Sequence, residues 1–117
     1  MMKLKLLWIQ LLKEEIKMEF LLELGFSELD IEQIKKYNFP YIMENIEINK
    51  DNVIVIIRYL FEIGIEKTTI KEIMMYQISL LFKTKEEIQT SFDEYELDSV
   101  VKSLNYDANN VELIDFI

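Results

Sequence analysis

Apolar residues recur at intervals of three and four along nearly the whole chain, with Glu, Lys and Asp filling most of the positions between them. That spacing traces one face of an α-helix, and a single proline and two glycines leave little to interrupt helices. The pattern predicts an all-α chain. The best competing strand is the β-branched run Val53-Ile-Val-Ile-Ile57, which alone reads as a buried strand. It leads directly into Arg58-Tyr-Leu-Phe-Glu-Ile63, so the expectation is one helix from about Asp51 to Ile63, buried on more than one side.

Three seven-residue stretches are versions of one another: Phe20-Leu-Leu-Glu-Leu-Gly-Phe26, Tyr59-Leu-Phe-Glu-Ile-Gly-Ile65 and Val100-Val-Lys-Ser-Leu-Asn-Tyr106, starting 39 and then 41 residues apart. A period of that size is the mark of stacked helical repeats. Gly25, Gly64 and Asn105 fill the place where a helix commonly ends in the left-handed conformation, which Gly adopts freely and Asn tolerates. A polar linker follows, then apolar residues three apart: Ile31, Ile34 and Tyr37; Ile70, Ile73 and Tyr76; Val111, Ile114 and Ile117. This spacing predicts a short helix in each copy, with Tyr76, like Tyr37, in the core. Ser27 with Asp30 is a plausible N-cap for the first, Thr68 and Thr69 a weaker start for the second, and Asp107 a cap for the third. Asn38-Phe-Pro-Tyr-Ile-Met43 then matches Gln77-Ile-Ser-Leu-Leu-Phe82, an apolar knot that the third copy lacks.

Each unit thus reads as helix, Gly turn, short helix, apolar knot, with the next long helix following. The expected organisation is one domain over 1–117: an N-terminal helical extension over 1–19, then units over about 20–58, 59–99 and 100–117, the last partial. Open solenoid ends need covering. The leucine-rich N-terminal helix is the expected cap at one end, and a second copy of the chain, forming a homodimer, at the other.

Met1-Met-Lys-Leu-Lys before Leu6-Leu-Trp-Ile-Gln-Leu-Leu12 resembles a secretion signal, but Gln10 interrupts the apolar core and Lys13-Glu-Glu15 replaces the small-residue cleavage site. The reading is cytoplasmic. The stretch is also far shorter than the roughly 20 residues that span a bilayer, and its Leu4, Leu7, Trp8, Leu11 and Leu12 form one side of an amphipathic helix for core packing. Lys13-Glu-Glu15 is also encodable by a purine tract like a bacterial ribosome-binding site, which makes Met18 an alternative start to Met1. Arg58 is the sole arginine among many lysines, and with abundant Ile and Asn this suggests an AT-rich bacterial or phage gene.

Composition then narrows the chemistry. The chain has no cysteine and no histidine, which removes disulfides, thiol nucleophiles and the commonest general base and transition-metal ligand. The densest carboxylate group, Asp93, Glu94, Glu96 and Asp98, lacks the Gly and ligand spacing of a calcium loop and reads as a solvated helix face. No glycine-rich phosphate loop is present. The expectation is a non-catalytic chain without cofactor.

The pattern Leu24-Gly-Phe-Ser-Glu-Leu-Asp-Ile-Glu-Gln-Ile34, then Tyr37-Asn-Phe-Pro-Tyr-Ile42, then a long helix ending in Leu60-Phe-Glu-Ile-Gly-Ile65, resembles the repeats of the mitochondrial transcription termination factor (mTERF) family. The likeness covers about Phe20 to Ile117. It implies units of two α-helices and a short 3₁₀-like helix, stacked into a short right-handed solenoid whose concave side binds nucleic acid through basic residues. Lys35 and Lys36 match the family's basic pair and Pro40 its proline.

The second unit departs from this pattern, with Met74 and Met75 in place of the lysines and Ser79 in place of the proline. The net charge is −9, and so acidic a chain repels phosphate at long range. Two readings follow. One is a protein-interaction module, an acidic inhibitor or adaptor of a nucleic-acid-handling protein. Its candidate contacts are Phe39, Met75 and the acidic Asp93, Glu94, Glu96 and Asp98, suited to a basic partner. The other is nucleic-acid binding of the termination-factor type through Lys35, Lys36 and Lys71.

Overall fold

The computed structural model describes residues 17–116. The helix expected over 1–19 falls, up to residue 16, outside the described residues, as does Ile117. Among the described residues, the chain forms seven α-helices, two 3₁₀ helices and no strand. The α-helices are α1 (Glu19–Glu23), α2 (Glu28–Lys36), α3 (Pro40–Ile48), α4 (Lys50–Glu62), α5 (Lys67–Tyr76), α6 (Lys85–Glu94) and α7 (Leu97–Tyr106). A first 3₁₀ helix, Ile78–Phe82, lies between α5 and α6, and a second, Ala108–Leu113, follows α7. The all-α expectation holds, and Val53–Ile57 is helical within α4.

The two glycines end their helices alike. Gly25 and Gly64 have φ of +101° and +103°. In α1, Gly25 N donates to Leu22 O and Phe26 N to Leu21 O, both at 3.0 Å. In α4, Gly64 N donates to Phe61 O at 3.1 Å and Ile65 N to Leu60 O at 2.9 Å. Both are Schellman turns, in which a left-handed residue lets the next two amides reach carbonyls that the helix leaves unpaired. Phe26 and Ile65, the residues after each turn, are buried against the core, as are Leu21 and Leu60. Asn105 departs from the expectation: it lies inside α7 and is not left-handed. That helix runs on to Tyr106 and stops at extended Asp107, so no left-handed residue is required there.

Starts follow the polar signals in part. Ser27 and Asp30 form a reciprocal capping box, Asp30 N donating to the Ser27 hydroxyl at 3.0 Å and Ser27 N to the Asp30 carboxylate at 2.9 Å. Asp107 accepts from Asn109 N at 2.9 Å and caps the second 3₁₀ helix. The second short helix begins at Lys67, ahead of the two threonines, with Glu66 at its N-cap making no side-chain cap bond.

The matched apolar knots fold differently. Pro40 occupies the first turn of α3, where its fixed φ is already helical and its missing N–H costs nothing, and a nine-residue α-helix follows. Ser79 has no such constraint, and Ile78–Phe82 makes a single 3₁₀ stretch before Thr84 caps α6. The third long helix is also broken. α6 ends at Glu94, and Glu96, at φ 68° and ψ 109°, turns the chain into α7.

α4 is the central helix. Val53, Ile56, Ile57 and Leu60 are fully buried while Val55 and Arg58 face solvent, and α4 packs on α3, α5, α6 and the first 3₁₀ helix. Phe92 of α6 fills the space beside it, 6.4 Å from the Tyr59 ring and 6.3 Å from Phe116. On the other side the short helices lie against one another: α2 packs on α5, and α5 on the second 3₁₀ helix.

Candidate interaction surface

The short-helix layer is joined by side chains that satisfy the ends of their neighbours. The Asn38 amide donates to Ile34 O and Met74 O, each at 2.8 Å, and so ties the C-terminal ends of α2 and α5 together. Lys67 Nζ donates to Gly25 O at 2.9 Å. Asn105 fills the same place one step along, donating to Gly64 O at 3.0 Å while its Oδ1 accepts from Glu66 N at 2.9 Å. Gln77 Nε2 donates to Asn109 Oδ1 at 3.1 Å and Glu112 Oε1 at 2.8 Å.

This arrangement brings aromatic residues to one edge. Tyr37 and Tyr76, expected in the core, are about half exposed, and their rings meet edge to face at 5.1 Å. The reason is the helical repeat: each three-residue step falls about 60° short of a full turn, so a third residue at that spacing sits about 120° round from the first. Ile31 and Ile34 stay buried while Tyr37 swings out; Ile70, Ile73 and Tyr76 behave alike. The hydrogen bond to Tyr37, with some burial and the Glu72 charge, pushes the Tyr76 hydroxyl above the usual phenol range. Next along the chain Phe39 is 67% and Tyr41 62% exposed, stacked nearly parallel at 5.9 Å. The rings therefore form two exposed pairs, Tyr37 with Tyr76 and Phe39 with Tyr41, which begin two residues apart in the chain at the α2–α3 turn; together they are the aromatic strip. Aromatic rings bury roughly 150–250 Å² each; covering the exposed half of one, ~100 Å², is worth ~2.5 kcal/mol before the costs of association.

The other expected site residues fall in separate places. Met75 is half-buried against the core. Lys36 is exposed at the foot of the strip, and Lys35 is half-buried, its ammonium pushed below the usual lysine range by burial that Glu32 and Glu47 partly offset. Lys71 points elsewhere, to Gln33 at 2.7 Å and Asp30 at 3.4 Å, where it helps join α2 to α5. Asp93, Glu94, Glu96 and Asp98 are all exposed, but they straddle the α6–α7 corner instead of sharing one helix face. Among the described residues, no group of three or more carboxylates is placed to hold a metal ion, and no helix is long and apolar enough to cross a membrane.

A groove between α7 and the second 3₁₀ helix was not anticipated from the sequence. Its cavity is about 240 Å³, and Tyr95 and Leu113 leave apolar surface uncovered there. Ser99 and Ser103, one turn apart beside Val100 and Leu104, are the only hint of it in the chain: small residues next to a buried stripe open a depression.

No protein-family model, curated protein or solved structure matches the chain.

Proposed function

We propose that this chain is a non-catalytic, cytoplasmic protein-interaction module built on mTERF-like helical repeats, stacked as a short right-handed solenoid. The side-chain ties between short helices support the stacking. Those of Asn38 to Met74, Lys67, Lys71, Asn105 and Gln77 join residues 32 to 42 positions apart, close to the 39- and 41-residue spacing of the sequence repeat. The functional reading is carried by the exposed strip of Tyr37, Phe39, Tyr41 and Tyr76. Exposed paired aromatic side chains of this kind are the residues enriched at binding sites. The charge of −9 favours a basic partner surface, such as that of a nucleic-acid-handling protein which this chain would inhibit or recruit.

The test compares proteins retained from a nuclease-treated low-GC bacterial lysate by the immobilised chain and by a Phe39→Ser/Tyr41→Ser variant. Both side chains are exposed, so the variant keeps its fold. A protein held by the first and released by the second supports the reading; identical retention refutes it.

One observation favours a second reading. Lys36 is exposed beside rings whose faces are able to stack bases. Titration with single- and double-stranded DNA and RNA at low salt decides it: tight binding that falls steeply with salt supports nucleic acid, and no binding at low salt removes it.

A further inference from the structure

In the short-helix layer, α2 is covered by α5 and α5 by the second 3₁₀ helix. The last surface in that sequence, the groove between α7 and the second 3₁₀ helix, has no covering element among the described residues. Its floor is Val100, Leu104 and Ile114, and its walls carry Tyr95 and Leu113, the latter 73% exposed. At about 240 Å³ it is smaller than the roughly 300–1,000 Å³ pockets that enclose small molecules. It suits instead the protruding side chains of a helix laid along it. The chain shows such packing one layer earlier, where Val101 of α7 comes within 3.5 Å of the Cβ position at Gly64.

The charge around this groove selects the occupant. Residues 93–116 hold seven carboxylates against one lysine, Lys102, a net −6 that Lys83, 4.6 Å over the Phe116 ring, reduces only by one. Glu94, Glu96, Asp98 and Asp115 are exposed next to the lining residues, and Asp115 N lies 3.3 Å from the Tyr95 hydroxyl at the groove. A second copy of the chain would bring two such rims together. A partner helix with lysines or arginines flanking an apolar stripe meets both features at once.

We propose that the α7 groove docks a cationic amphipathic helix. The inference shares with the proposed function the view that the chain binds a basic protein surface. It concerns a different face from the aromatic strip, and the Phe39→Ser/Tyr41→Ser variant should leave it untouched.

The experiment titrates the full chain with a fluorescent Leu/Lys peptide of about 18 residues, its leucines at i, i+3, i+4 and i+7. Two controls are a scrambled peptide of the same composition and a Leu/Glu peptide of the same pattern. The patterned cationic peptide should bind in the micromolar range and both controls at least about tenfold more weakly. Ser103→Trp, which fills the groove from an exposed position, and Leu113→Ser should each weaken binding by about tenfold. Glu94→Gln/Glu96→Gln/Asp98→Asn should weaken it by about threefold to tenfold at low salt, and little at about 0.5 M salt. Equal binding of the scrambled peptide, or full binding by both Ser103→Trp and Leu113→Ser, would overturn the proposal. So would light scattering that shows a dimer which Ser103→Trp converts to a monomer, since the occupant would then be a second copy.

Discussion

Asn38→Leu is the substitution that most sharply tests how the short helices are joined. Asn38 lies between α2 and α3, outside any helix, so helix propensity does not confound the change. Its amide gives one hydrogen to Ile34 O and the other to Met74 O, both at 2.8 Å in a part-buried setting. Each carbonyl belongs to the last turn of a helix, where the i+4 ladder has run out; Ile34 O keeps a long bond from Tyr37 N at 3.3 Å, so the Met74 acceptor loses more. Leucine keeps most of the volume and removes both donors. A net hydrogen bond is worth about 0.5–1.5 kcal/mol, and a stranded acceptor adds to the loss when water cannot replace it. Two bonds therefore give about 2 kcal/mol, with the shared location allowing about 1–3. For a chain of this size that is a fall of roughly 8 °C in Tm, read by circular dichroism alongside urea unfolding with unchanged m-value. The Met74 bond joins the α2–α3 turn to α5, so Asn38→Leu should also sensitise α5 amides to hydrogen exchange more than those of α6. A loss under about 0.5 kcal/mol would refute the assignment of Asn38 as the tie between α2 and α5.

Backbone strain gives two opposite outcomes. Glu96 holds a positive φ of 68° without being glycine, so Glu96→Gly should raise stability by about 1 kcal/mol; a fall in the urea midpoint would contradict it. Gly25→Ala and Gly64→Ala should each cost about 1–2 kcal/mol in the same assay, since both sit beyond φ +100°; neutral substitutions would mean the turns tolerate a side chain. Asp30 predicts a pH dependence. Its carboxyl is held below the usual value chiefly by the Ser27 backbone N–H, with the Ser27 hydroxyl and Lys71 adding to this and burial opposing it. A folded pKa below the unfolded one contributes stability above the unfolded value, near pH 4, that is lost as pH falls through the folded value. Asp30→Asn should flatten the acid limb of Tm against pH, and an unchanged limb would remove Asp30 from that account.

Much of the fold was legible because the signals were local. Gly25 and Gly64 mark helix ends through a backbone conformation few other residues accept, and Ser27 with Asp30 marks a start through two hydrogen bonds between near neighbours. Features set by packing were harder to read. Pro40 and Ser79 stand at matched positions, yet one opens an α-helix and the other lies in a 3₁₀ stretch. The break at Glu96 carries no glycine, proline or cap to announce it. Asn105 matches the two glycines in sequence, but its side chain, and not its backbone, serves the turn, by reaching 41 residues back to Gly64. At the surface, Phe39 is exposed and Met75 only half so. Tyr37 and Tyr76 lie outside the core because a three-residue spacing followed for two steps leaves the buried face. The C-terminal groove depends on the approach of α7 to a 3₁₀ helix, which no local pattern encodes.

The central claim, that the aromatic strip meets a protein, is tested most directly by a photo-crosslinking residue placed at Phe39 and, as a control, at exposed Gln89 on α6. Irradiation in a low-GC bacterial lysate is then followed by mass analysis of the adducts. The account predicts a protein adduct at position 39 that is absent at position 89 and survives nuclease treatment. Adducts to nucleic acid alone, or the same adducts at both positions, would contradict it.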